Sequence, residues 1–270
     1  MKHQVTHYPF QDWCPICVKN AAKNKPHKKV TNIRECEVFS LDYMYMTSKP
    51  TTEELAHPIL VIKARVSGGV WALPVTRKGP YLNNIVQRVN NIITSVGCPK
   101  IVIKADQEPA MISLQKEIRK ELWNEVIEIT NKVKDTRKGE SDDNPGGVVI
   151  LENSPVGESQ SNGIVEHAIQ EVQYQIRKMK MQIEQNMASK LSNDSPIWPW
   201  LIQYAAQVIH TFKVHKEDKR TSRQRIRANP SLPEIPKFGE HIYFKPAKTV
   251  SIPKDEARWR SGMAGIHRSY

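Results

Sequence analysis

Three stretches with the composition of β-strands follow one another across residues 36–76, and the way the chain continues after them leaves few possible architectures. CEVFSLDYMYM (36–46), HPILVIKARV (57–66) and VWALPVT (70–76) are rich in β-branched and aromatic residues, the side chains that suit a pleated, half-buried surface. Ser67-Gly68-Gly69 is the turn between the second and third, so the three predict a meander. In YLNNIVQRVNNIITSVG, the residues Leu82, Ile85, Val86, Val89, Ile92, Ile93 and Val96 recur at helical spacing, with Gly97 as the C-cap. The apolar run IVIKA (101–105) ends at Asp106 and predicts a buried parallel strand, which a preceding helical crossover permits.

A second helix is expected from about Pro109, with Met111, Leu114, Ile118, Leu122 and Val126 on one face. From Thr130 to Gly147 the chain is polar and rich in breakers, which predicts a surface insertion. VVIL (148–151) is a further short strand, NSPVGESQSNG a loop, and Gly163 to Gln185 a long helix with Val165, Ala168, Val172, Ile176, Met179 and Ile183 inward. Residues 197–212 predict another helix and 238–244 another strand. Strands interleaved with helices in this order describe an α/β protein, a mixed sheet flanked by helices on both faces. That order is compatible with a ribonuclease-H-like fold and with other mixed sheets.

No apolar run approaches the ~20 residues needed to cross a bilayer, and MKHQVTHYPF has no secretory apolar core, so neither a membrane partner nor export is expected. The net charge is +12, and its placement matters more than its size. Residues 1–34 hold seven Lys or Arg against Asp12, and residues 213–230 hold seven more against Glu217 and Asp218. Two basic flanks on a nearly neutral body suit a polyanion, because neutralising phosphates releases counterions.

The carboxylates carry the chemistry. Asp42 lies mid-strand, where an ionised side chain costs free energy unless paired or metal-bound. Asp106 closes the parallel strand, and ligands of open α/β sheets gather at the carboxyl ends of strands. Glu166 sits one turn into the long helix, off its apolar stripe, after the Asn162-Gly163 turn; on its face Asn162, Gln170, Gln173, Arg177 and Lys180 form a polar row. Two Asp and one Glu could together hold two Mg²⁺ or Mn²⁺ ions, since hard cations take oxygen ligands. Such a pair stabilises the attacking and leaving oxygens of an in-line phosphoryl displacement.

FSLDYMYM, IKADQEPA and SPVGESQSNGIVEHAIQEVQ resemble the three blocks of a retroelement integrase catalytic core, most nearly the integrases of copia-type retrotransposon polyproteins. THYPFQDWCPICV resembles the end of the zinc-binding domain upstream of such a core, and WPWLIQYAAQVIHTF the helix after it, so the likeness spans about residues 3–245. The resemblance implies a ribonuclease-H-like fold with a catalytic metal triad of Asp42, Asp106 and Glu166. It implies a polynucleotidyl transferase that trims the 3′ ends of element DNA and joins them to target DNA. Multimeric action, a cytoplasmic particle and then the nucleus are implied with it. Residues 107–165, fifty-nine in all, separate Asp106 from Glu166, more than is usual in the family; the excess is expected in 130–147.

His3, His7, Cys14 and Cys17 are ligand types for tetrahedral Zn²⁺, with His27 as another candidate. The His pair stands closer to the Cys pair than in retroelement integrases, which points to an incomplete motif. The expected organisation is a basic N-terminal segment with a partial zinc motif (1–34), a catalytic core (35–212), a basic linker (213–237) carrying Arg220, Arg223, Arg225 and Arg227 as DNA contacts, and a truncated C-terminal segment (238–270). Cys98, between Gly97 and Pro99, is expected to pack in the ordinary way. A catalytically inactive, transposon-derived nucleic-acid binder is the alternative. A ribonuclease H shares the metal chemistry but needs a fourth carboxylate, for which Glu171, Glu184 and Asp194 lack supporting context.

Overall fold

The sheet is built from five strands: β1 (Glu37–Met44), β2 (Ile59–Ala64), β3 (Val70–Pro74), β4 (Lys100–Ala105) and β5 (Val148–Asn153). Their order across the sheet is β3-β2-β1-β4-β5. The meander pairs antiparallel and β4 and β5 add in parallel to β1. These coordinates are a computed structural model that describes residues 36–46, 57–80, 84–136 (side chains as far as 122), 148–153, 162–192, 194–227, 231, 236–245 and 259–264. The chain divides into two units, 1–34 and 35–270. His3, His7, Cys14, Cys17 and His27 therefore lie outside the described residues, as does Leu82.

Among the described residues, four longer helices and one short one accompany the sheet: α1 (Ile85–Val96), α2 (Pro109–Thr136), α3 (Gly163–Met187), α4 (Trp198–Phe212) and α5 (Ser222–Arg227). Alternation along the strands divides the core in two. Phe39, Leu41, Tyr43, Leu60 and Ile62 face α1 and α2 and pack with Ile85, Val89, Leu114 and Ile118. Met44, Ile59, Val61, Val70 and Ala72 face α3 and α4 and pack with Val165, Val172, Ile176 and Leu201. Covering both faces explains why β2 is almost continuously apolar rather than alternating.

Several expectations change. The helix from Pro109 runs to Thr136 and crosses the supposed start of the insertion, because no Gly or Pro interrupts 110–136 and the first breaker is Gly139. Cys98 is exposed rather than packed. Residues 213–227 are no simple linker: Val214 bridges Thr221, and α5 follows directly. The strand expected at 238–244 is β6 (His241–Phe244), and it pairs with β7 (Arg260–Met263), a strand that RSGM did not announce.

The hairpin turn between β2 and β3 shows how the edge of the sheet is held. Gly68 has φ +75, and a Cβ on Gly69 would lie 2.1 Å from the Trp71 ring, so both positions require glycine. Glu37, only 2% exposed, accepts hydrogen bonds from the backbone N–H groups of Val66 (2.7 Å) and Ser67 (2.8 Å). Arg225 donates to the Val66 carbonyl and holds Asp218 with two hydrogen bonds of 2.8 and 2.9 Å. It is thus committed to the fold and not displayed for nucleic acid. Glu37→Gln replaces one acceptor oxygen by a donor and strands a turn N–H; urea denaturation should show a loss of about 1–3 kcal/mol.

Candidate active site

The strand register brings the two aspartates together. Ser40 of β1 pairs with Lys104 of β4 in a parallel ladder, so continuing two residues along both strands sets Asp42 beside Asp106. Neighbouring strands lie about 4.8 Å apart. By strand alternation Asp42 shares its face with Ser40 and Met44, the face that α3 and α4 cover. Glu166 is in the first turn of α3, and α3 packs on β1 and β2. The three carboxylates sense one another: burial first, then the charges of Asp106 and Glu166, push the Asp42 carboxyl up to about 6. The Tyr43 N–H, which donates to Asp42 Oδ1 at 2.7 Å, and the nearby Lys78 charge pull the other way.

Asp106 Oδ1 accepts from the Glu108 N–H at 3.3 Å at the entry to α2. Glu166 is exposed. Among the described residues, no three His, Cys, Asp or Glu side chains are gathered closely enough to hold a metal ion. The donor set nevertheless suits a hard divalent cation. It offers carboxylate oxygens, and a bound cation would offset the burial of the Asp42 charge and the lesser repulsion from Asp106 and Glu166.

Lys78, absent from the sequence-derived site, stands beside it. Its ammonium donates to both oxygens of Glu108 (2.7 and 2.8 Å) and lies 5.3 Å from the Tyr43 ring and 5.6 Å from the Tyr45 ring. The Gly79 N–H donates to the Tyr43 hydroxyl at 3.0 Å and anchors the loop that carries Lys78. Tyr45, Thr76, Arg77, Lys78, Pro109 and Ser113 line an open groove of about 560 Å³. The signal in the sequence was TRKGP, a basic pair among breakers directly after a strand.

The polar row along α3 is only partly available. Gln170 and Arg177 are exposed, and Gln173 donates to the Tyr45 carbonyl at 3.4 Å. Asn162 is 6% exposed and does not face solvent; it stands at the N-cap of α3 without a side-chain cap hydrogen bond. The row also contains an acid: Glu184 pairs with Lys180 at 3.4 Å and with Lys190 at 3.3 Å. Of the other basic candidates, Arg220 and Arg227 are exposed and Arg223 is half-buried.

Solved structures provide the comparison. A chain of the simian T-cell lymphotropic virus intasome, solved in complex with the PP2A regulatory subunit B56 gamma, is similar over 93% of this chain and 79% of its own, at 16% identity and a TM-score of 0.50. The HTLV-2 integrase catalytic core domain in complex with magnesium, in its trimeric form, matches over 70% of this chain and 95% of its own (14% identity, TM-score 0.41). The catalytic core domain of BIV integrase matches over 71% and 93% (11% identity, TM-score 0.41). No family model and no curated protein matches the sequence. The fold is ribonuclease-H-like. The expected fold class is therefore met, and the neighbours are retroviral integrase cores; nothing in them singles out the copia type.

Because the folded state binds a proton at Asp42 more tightly than the unfolded chain does, metal-free stability falls as pH rises from 3.8 to about 6 and is level above. Asp42→Asn removes that dependence. In EDTA it should melt above the wild type at pH 7, and the difference should vanish below pH 3.8.

Proposed function

We propose that this chain is a retrotransposon integrase of the copia type, a polynucleotidyl transferase that trims DNA 3′ ends and joins them to target DNA. The observation that carries the reading is the β1–β4 register, which aligns Asp42 with Asp106 on the face covered by the helix bearing Glu166. In the joining step a DNA 3′-hydroxyl attacks a target phosphodiester. A new P–O bond forms, the target P–O3′ bond breaks, and the leaving 3′-oxygen takes up a proton. Asp42, Asp106 and Glu166 would hold two Mg²⁺ or Mn²⁺ ions, which supply activation of the attacking oxygen and charge neutralisation at phosphorus. Lys78 stands at the groove edge paired with Glu108, so a phosphate backbone there would compete with that carboxylate for its ammonium. Gln170, Gln173, Arg177, Lys180, Arg220 and Arg227, and separately the basic 1–34 segment, are further DNA contacts in this reading. Action as a homo-oligomer, in the nucleus after a cytoplasmic particle, belongs to the same reading, as does the division into a zinc-binding 1–34, a core and a short C-terminal segment.

The test is an in vitro joining assay with a labelled duplex bearing a recessed 3′ end, a plasmid target and Mg²⁺ or Mn²⁺. Product should form with the wild type. It should fall at least 100-fold in Asp42→Asn, Asp106→Asn and Glu166→Gln, with duplex binding retained. A catalytically inactive DNA-binding relic is the second reading, favoured by the lack of a ready three-carboxylate cluster among the described residues. Salt-sensitive DNA binding with no product in either metal would select it, and preferential cleavage of an RNA–DNA hybrid would instead select a ribonuclease H. For the N-terminal segment, one zinc per chain is expected by metal analysis, lost in Cys14→Ser; zinc-free wild-type protein would remove His3, His7, Cys14 and Cys17 from any metal role.

A further inference from the structure

A second site lies away from the carboxylates, beyond edge strand β3. There α1, the end of α4 and α5 converge on a small cavity of about 60 Å³ lined by Trp71, Ser95, Gln207, His210, Arg223 and Arg227, among others. Three of these side chains hold buried polar atoms with no hydrogen-bond partner among the described residues: Trp71 Nε1, Gln207 Oε1 and His210 Nδ1. Trp71 is 2% exposed, so its indole N–H is shut off from bulk water. An orphaned buried polar atom costs about 1–3 kcal/mol, and an indole donor, an amide oxygen and an imidazole nitrogen around one cavity call for an occupant that satisfies them together.

Among the described residues, the lining contains two guanidinium groups and no carboxylate. The rings of Trp71 and His210 stand 5.0 Å apart at 50°. Burial, and then the charges of Arg223, Lys63 and Arg227, press the His210 imidazole down to about 4. A neutral imidazole can offer Nδ1–H as a donor through its choice of tautomer. The Gln207 amide can turn to present NH₂ where its oxygen now lies. The cavity can thus present indole, imidazole and amide donors beside two cations, a lining made for an oxyanion rather than a metal. Its volume admits several waters or one tetrahedral anion, and its walls come from separate elements, which leaves no track for a continuing polymer backbone.

We propose that this cavity is a binding site for a small free oxyanion of the phosphate class, separate from the carboxylate site and independent of the transferase reading. The anion ties α5 and the end of α4 to the edge of the sheet. Arg223, expected from its position in a basic run to contact DNA, is in this account an anion ligand.

The experiment titrates inorganic phosphate into the full chain by isothermal calorimetry at constant ionic strength, with sodium chloride as the control, and follows thermal melting in parallel. Wild type should bind about one phosphate saturably and melt at higher temperature in phosphate than in matched chloride. Arg223→Gln should weaken binding at least tenfold. Trp71→Phe, which removes the N–H donor together with the pyrrole half of the indole, should weaken it several-fold. Both variants are checked for cooperative melting in chloride, and should either fail to fold, the wild-type isotherm still decides. No saturable binding by wild type would mean that the cavity holds water alone. Unchanged affinity in both folded variants would put the anion elsewhere. Either result overturns the proposal.

Discussion

The parallel register between β1 and β4 is the constraint on which the rest depends. Once Ser40 pairs with Lys104, the positions of Asp42 and Asp106 follow from strand geometry, and a slip by one residue would send Asp42 to the opposite face. The register is secured by burial on both sides. Phe39 and Leu41 belong to the α1–α2 core while Met44 belongs to the α3–α4 core, so no shifted pairing keeps both clusters filled. The strength of the core thereby fixes the spacing of polar groups that contribute nothing to it.

Burying a carboxylate in this sheet carries an electrostatic cost, desolvation first and then the charges of Asp106 and Glu166, which appears as the raised proton affinity of Asp42. Close packing makes the arrangement rigid, and like charges held together resist ionisation unless a cation joins them. Lys78 partly offsets the strain from outside, but its ammonium is committed to Glu108. A cation bound there would have to draw the carboxylates closer, because among the described residues no three stand near enough to hold one.

The opposite edge of the sheet is ruled by positive charge. Glu37 and Arg225 secure the β2–β3 turn from two sides, Lys213 pairs with Glu171, and Arg223 and Arg227 border the Trp71 cavity. In the linear sequence, residues 213–227 are merely a run of basic residues. Folded, they are a bridge, a tight loop and a short helix, whose charges are divided between structural pairs and a cavity. Counting lysines and arginines gives the right net charge but the wrong inventory of groups free to meet a polyanion.

Much of the architecture was legible in the sequence itself. Period-two and period-3.6 patterns are local, so the three meander strands, the parallel strand 101–105 and the helices at 85–96, 163–187 and 198–212 could be located from side-chain types alone. Asp42 and Asp106 stood out because a charge within or directly after an apolar strand requires a reason. Lys78 did not stand out: a lysine in a loop becomes part of a site only when Glu108 and two tyrosine rings surround it. Asn162 looked like an exposed polar residue until packing buried it, and β7 became a strand only through pairing with β6. The sequence by itself determined which segments are strands and helices and which carboxylates are costly to bury. Only the tertiary structure decided which of those groups meet and which basic residues are already engaged. Pattern is a property of neighbours along the chain, whereas proximity and desolvation arise between segments far apart in it.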